Sequence, residues 1–201
     1  TTGGVRGNDK TALEFQPRSF NMGISKNAFI AVDGFGVIHP GEDPDLSIRL
    51  WRHGFESQYI SSAFVYHKRK ISWTKFYTQV NKFGLCRPIL NYWYPETKKL
   101  TYWFPTCFIF GLISGISAAL FYKNQIILSL YVIYFLIVII DSCIKSKNIK
   151  IGLLSFFAVI IQFFGYGVGF FKSNIIIRLL KKTPEEAFPY LFYNNIDIIK
   201  N

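Results

Sequence analysis

Apolar and polar positions follow two different patterns along this chain. Residues 1–100 mix them at short period, whereas residues 101–180 hold long apolar runs. Trp103 to Tyr122 (WFPTCFIFGLISGISAALFY) contains no formal charge. Its length matches the roughly 20 residues needed to cross about 30 Å of hydrocarbon, so a membrane helix is predicted over 103–122. Gln125 to Ile140, followed by DSC, predicts a second over 125–143, with Asp141 at the headgroups. Ile151 to Phe171 predicts a third. There, Gln162 and the glycines at 165, 167 and 169 suit either close helix packing or a re-entrant path. The pattern predicts an all-α transmembrane region of two to three helices spanning 103–171.

The first hundred residues carry shorter signals. Phe20 to Ile30 predicts a short strand running into a helix start, and DGFG at 33–36 a turn. A helix is expected over 44–53, with Asp43 as N-cap, Pro44 at the first helical position and Asp45 at the positive end of the dipole. Leu46, Leu50 and Trp51 share a face of it, and Gly54 is its stop. Residues 57–66 (SQYISSAFVY) alternate as a strand does. Residues 72–83 place Trp73, Phe76 and Val80 on one side, predicting an amphipathic helix on a membrane surface.

Charge adds an orientation. The chain carries a formal net charge of +11. Eight Lys and Arg residues between Lys68 and Lys99 precede the first span, Lys123 follows it, and Lys145, Lys147 and Lys150 follow the second. The positive-inside rule makes the N-terminal part cytoplasmic. Three full spans would place the C-terminus outside, yet Lys172, Arg178, Lys181 and Lys182 favour the inside. The re-entrant path for the third run resolves that conflict. Much of the basic surplus adjoins apolar runs, so anionic lipid headgroups are its partner and nucleic acid is not expected. Trp93, Tyr94, Tyr102 and Trp103 read as an interfacial aromatic belt. Cys86, Cys107 and Cys143 are too few and too scattered for a disulfide framework or a zinc cluster.

Three of the chain's twelve acids fall within GEDPDLSIRL, as Glu42, Asp43 and Asp45. Helix capping accounts for Asp43 and Asp45 without further function. It leaves Glu42 unexplained, and close carboxylates repel unless they face a cation, a proton or a hydroxyl-bearing substrate.

The stretch FNMGISKNAFIAVDGFGVIHPGEDPDLSIRLWRHGFESQYISSAFVYHKRK resembles the second half of a family-2 glycosyltransferase catalytic domain of the GT-A fold, over about residues 15–90. Asn21 to Lys26 is similar to the family's GxNxAxRR strand, Asp33-Gly34-Phe35 to its GGF turn, and Gly41-Glu42-Asp43 to its xED motif. The resemblance implies an α/β partial GT-A domain over 1–90, an interfacial linker over 91–102, the transmembrane region over 103–171 and a basic tail over 172–201. It implies inverting transfer from a nucleotide-sugar donor to a glycan or polyprenyl-linked acceptor, at a bacterial inner or plasma membrane with the catalytic part cytoplasmic. Asp43 takes the place of the catalytic base, with Glu42 and Asp45 orienting it or binding acceptor hydroxyls. His67 takes the place of a ligand to the divalent metal, Mg or Mn, which a DxD motif absent from this chain would mainly hold. Gln79 to Phe83 resembles the QxxRW motif, with Lys82 for its Arg and Phe83 for its Trp, and the resemblance makes Arg87 a candidate phosphate contact. The opening TTGGVRGNDK, without Met, reads as the start of a fragment lacking the donor-binding half and inactive alone. The alternative is a non-enzymatic membrane anchor or small transport subunit whose acids merely cap a helix.

Overall fold

The computed structural model describes residues 15–60, 62–66, 68 and 71–193. The expected α/β half-domain is not what these residues form. They build helices, and the described residues contain no strand or sheet; isolated bridges join Arg18 to Asn21 and Ile38 to Phe192, and Ser57 is a further bridge residue. The reason is pairing: an alternating segment becomes a strand only where a neighbour satisfies its backbone groups. Over 20–30 the expected strand does not form but the expected helix start does: the Ser25 hydroxyl accepts from the Ala28 N–H and starts helix α1, Lys26–Ala31. The described part of 57–66 forms no strand beyond the bridge at Ser57 and is tied down at Ser57 and Ala63. Ser57 Oγ donates to Phe15 O at 2.6 Å, and Asn21 Nδ2 donates to Ala63 O at 3.3 Å.

Helix α2, Glu42–Arg52, begins earlier than expected. Its N-cap is Gly41, so Glu42, Asp43 and Pro44 fill the first turn and Asp43 is not the cap. Pro44 still costs no hydrogen bond there, because the first N–H groups have no partner within the helix. The stop is as expected, with Gly54 at φ 80 just beyond the His53 C-cap.

Helix α3, Trp73–Trp93, runs ten residues past the expected end at 83 and passes through Pro88. Burial drives the extension, since Leu85, Cys86, Ile89 and Leu90 lie in one core with Ile38, Ile48, Ile177 and Leu191. Two short 3₁₀ turns, Pro95–Thr97 and Leu100–Trp103, lead into α4, Phe104–Phe121. Helices α5, Ile126–Ser146, and α6, Ile149–Asn174, follow, and α6 passes into a π-helical turn over Ile175–Leu179. Three stretches, Leu100–Phe121, Ile126–Ser146 and Ile149–Leu179, are long and apolar enough to cross a membrane. A short helix α7, Pro184–Ala187, and a 3₁₀ turn, Pro189–Leu191, complete the described chain.

Helix α6 is unbroken through its glycines, which serve as contact points. Gly165 rests on Val80 and Tyr77, and Gly169 rests on Asn81, so α3 and α6 run parallel along this seam. Asn81 Nδ2 donates to Gly165 O at 2.9 Å within it. Tyr94, expected in an aromatic belt, is instead a buried member of the core. The last described residues pack against residues 37–39: His39 N–H donates to Leu191 O at 2.7 Å, and Tyr193 N–H donates to Val37 O at 2.8 Å.

Candidate functional site

The three acids of α2 sit within one turn, yet their surroundings differ. Glu42 Oε2 accepts the Gly41 N–H at 2.8 Å and lies 3.1 Å from Nδ1 of the half-exposed His39. Asp45 is buried and both of its oxygens are held. Oδ2 accepts from Arg49 Nη2 at 2.8 Å and Nε at 3.0 Å, and Oδ1 accepts the Tyr94 hydroxyl at 2.6 Å. Arg49 also donates to the carbonyls of Val32 and Gly34, which locks α2 onto the 33–36 turn. Burial first, then the bond to Asp45, raises the Tyr94 hydroxyl pKa, so it stays a donor. Asp45 thus joins α2, the turn and the end of α3.

Asp43 is set up differently. Ser19 N–H donates to Oδ1 at 3.1 Å, and Arg18 Nη1 stands 3.9 Å from Oδ2, too far for a hydrogen bond. Burial, then the neighbouring Glu42 charge, raises the Asp43 pKa, with the Ser19 hydrogen bonds and the Arg18 charge only partly offsetting them. A carboxylate displaced upward in pKa is a stronger base toward a hydroxyl.

Packing of α2 on α3 draws a second motif to this place. Gly41, at φ 130, meets α3 at Cys86, where an added Cβ would run into the sulfur. Burial pushes the Cys86 thiol up to about 12, so it packs as a neutral group and is no nucleophile. One turn earlier, the Arg18 guanidinium lies 5.8 Å from the centre of the Phe83 ring. Arg18 therefore bridges Asp43 and Phe83, and the start of α2 adjoins the Gln79–Phe83 segment. Gln79 and Lys82 are half-buried on that segment, and Lys82 has no carboxylate partner among the described residues. Arg87 points elsewhere, its guanidinium 4.7 Å over the Tyr102 ring at the foot of α4. His67 lies outside the described residues.

Sequence reasoning missed Arg18, Ser19, His39 and Tyr94. Only His39 carried a usable signal, as a titratable group three residues ahead of Glu42. Among the described residues, no group of three His, Cys, Asp or Glu side chains could hold a metal ion. Glu42 and Asp45 are engaged by the Gly41 N–H, His39, Arg49 and Tyr94, and among the described residues Asp43 has no second ligand beside it, so these acids do not gather into a donor set for the divalent ion common in family-2 glycosyltransferases.

Neither a curated protein nor a solved structure matches the chain. The family model described as glycosyl transferase family group 2 does match, over residues 20–167. That range holds α1 to α5, most of α6 and every acid discussed above. With three helices long and apolar enough for a membrane, the chain belongs to the family-2 glycosyltransferases.

Proposed function

We propose that this protein transfers a sugar from a nucleotide-sugar donor to a hydroxyl of a glycan or lipid-linked acceptor, with inversion, and that Asp43 is the general base. One observation carries the choice of Asp43 among the three acids. Asp45 is held on both oxygens by permanent partners, and Glu42 is tied to its own cap and to His39. Asp43 instead faces Arg18, a side chain 40% exposed and 3.9 Å away, which an incoming hydroxyl can approach and displace. In the step proposed, Asp43 takes the acceptor's hydroxyl proton as that oxygen bonds to the anomeric carbon. The bond from that carbon to the diphosphate oxygen breaks, and the nucleoside diphosphate leaves with the electron pair. Phe83, under Arg18, offers an apolar face for the acceptor sugar.

The test is Asp43→Asn in the full-length enzyme. A base contributes about 100- to 10,000-fold, so transfer should fall by that range while KM for the acceptor is kept. Folding should survive. The folded pKa of Asp43 is raised, so ionisation costs the fold stability as pH rises from the unfolded value through the folded one. Asn removes the charge and still accepts the Ser19 N–H, so thermal stability should hold or rise. Transfer within a few-fold of wild type would eliminate Asp43 as the base.

A further inference from the structure

At the foot of α4 the chain leaves a second polar place that the reading above does not use. A cavity of about 210 Å³ is lined by Asn91, Lys98, Lys99, Trp103, Phe170 and Arg178, with Leu100 at its edge. Its volume is below the roughly 300–1,000 Å³ of pockets that enclose whole small molecules, which suits a headgroup. Its lining contains three cations and no acid. Lys98, Lys99 and Arg178 pair with no carboxylate among the described residues, and Glu96, two residues before Lys98, is taken by Arg52 at 2.7 Å. Like charges gathered without counter-ions repel, so the arrangement favours an anion between them.

Two further features narrow the ligand. Asn91 is only 3% exposed, lines the cavity, and accepts from Thr97 Oγ1 through its amide oxygen at 3.4 Å. An amide in the cavity wall can donate to an anion held there. The apolar side of the cavity is Trp103 stacked edge-on against Phe170 at 5.0 Å, continuing to Leu100, which is 87% exposed at the start of the first apolar stretch. Cations and an amide on one side, with aromatic and aliphatic surface leading along a membrane helix on the other, match a phosphate carried on a lipid tail. Basic pockets at the ends of membrane helices bind such headgroups.

We infer that this cleft is a binding site for the phosphate of a membrane-embedded amphiphile, held by Lys98, Lys99, Arg178 and Asn91. The same chemistry is offered by a phospholipid headgroup and by a polyprenyl phosphate. The site goes beyond the base assignment and does not depend on it.

The experiment uses the full-length protein in phosphatidylcholine nanodiscs, titrated in separate arms with phosphatidylglycerol and with a polyprenyl monophosphate, and bound lipid is counted by native mass spectrometry. The variant Lys98→Gln/Lys99→Gln/Arg178→Gln changes three exposed side chains and should weaken binding at least ten-fold. Asn91→Asp, nearly the same shape but charged, should weaken it independently. Lys181→Gln/Lys182→Gln, which alters exposed cations outside the cavity lining, should not. Loss confined to the polyprenyl arm assigns the cleft to a lipid-linked substrate. Loss confined to the phosphatidylglycerol arm assigns it to the bilayer, and loss in both arms supports the shared phosphate site. Binding within two-fold of wild type in both arms overturns the inference. Because binding is read without turnover, Asp43→Asn should bind either probe normally, which separates a failure here from a failure of the base assignment.

Discussion

At the scale of single residues, the acidic cluster divides into an anchor and a reagent. Asp45 is fixed by Arg49 and Tyr94, whereas Asp43 is buried beside a loosely paired Arg18. Burial and Glu42 raise the Asp43 pKa, and Arg18 and Ser19 pull it down. If Asp43 must be ionised to act, the acidic limb of the kcat/KM profile lies above the ordinary aspartate range. Arg18→Gln removes one lowering influence and should move that limb to still higher pH, measured as transfer rate against pH at fixed donor. A limb at the ordinary aspartate position, unmoved by the substitution, would contradict the tuning. The acids themselves were legible in the sequence because their density in a basic chain is unusual. Their tuning was not, because Ser19 and Arg18 precede Asp43 by more than twenty residues and reach it through irregular chain that no periodicity describes.

At the scale of elements, legibility followed the source of each element's stability. Helices α4, α5 and α6 announce themselves because a membrane helix satisfies its own backbone and needs only length and apolarity. The two expected strands failed because alternation describes one half of a pairing and says nothing about the other half. The end of α3 was missed because its continuation past 83 depends on α6. Gly84 meets α6 so closely that an added Cβ would run into the Tyr166 carbonyl and crowd the Phe170 nitrogen. This makes a prediction with a sign opposite to helix propensity. Alanine ordinarily improves a helix by about 1 kcal/mol over glycine, whereas overpacking costs about 1–3 kcal/mol. Since the obstacle is backbone, which cannot rotate aside, Gly84→Ala should lower the thermal midpoint of the detergent-solubilised protein. Gly23→Ala, with open space around it, should leave the midpoint unchanged. An unchanged or raised midpoint for Gly84→Ala would mean the α3–α6 seam is looser than described.

At the scale of the whole molecule, the backbone itself constrains how the chain lies in a bilayer. Residues 37–39 and 191–193 are hydrogen-bonded to each other, so no membrane separates them and the crossings between them are even in number. Of the three candidate helices, this pairing allows at most two to cross. The contacts indicate which. Helices α4 and α5 pair along their lengths, from Phe108 with Tyr131 to Gly115 with Ile127. The close contacts of α6 fall on residues 103–110, at the foot of α4, and on residues 134–143, in the second half of α5. Helix α6 thus crosses the base of the hairpin obliquely and then joins α3 in the core that holds Ile177 and Leu191. The basic residues 172–182, which conflicted with three spans on charge alone, conflict with nothing if α6 begins and ends on one side. The predicted outcome is that Lys123→Cys, in the loop between α4 and α5, reacts with a membrane-impermeant thiol reagent from one face of sealed vesicles. Lys147→Cys and Lys181→Cys should both react from the opposite face, in a background with Cys86, Cys107 and Cys143 replaced. If Lys147→Cys and Lys181→Cys react from different faces, α6 crosses the bilayer, and the pairing of residues 37–39 with 191–193 cannot exist in the membrane-inserted protein.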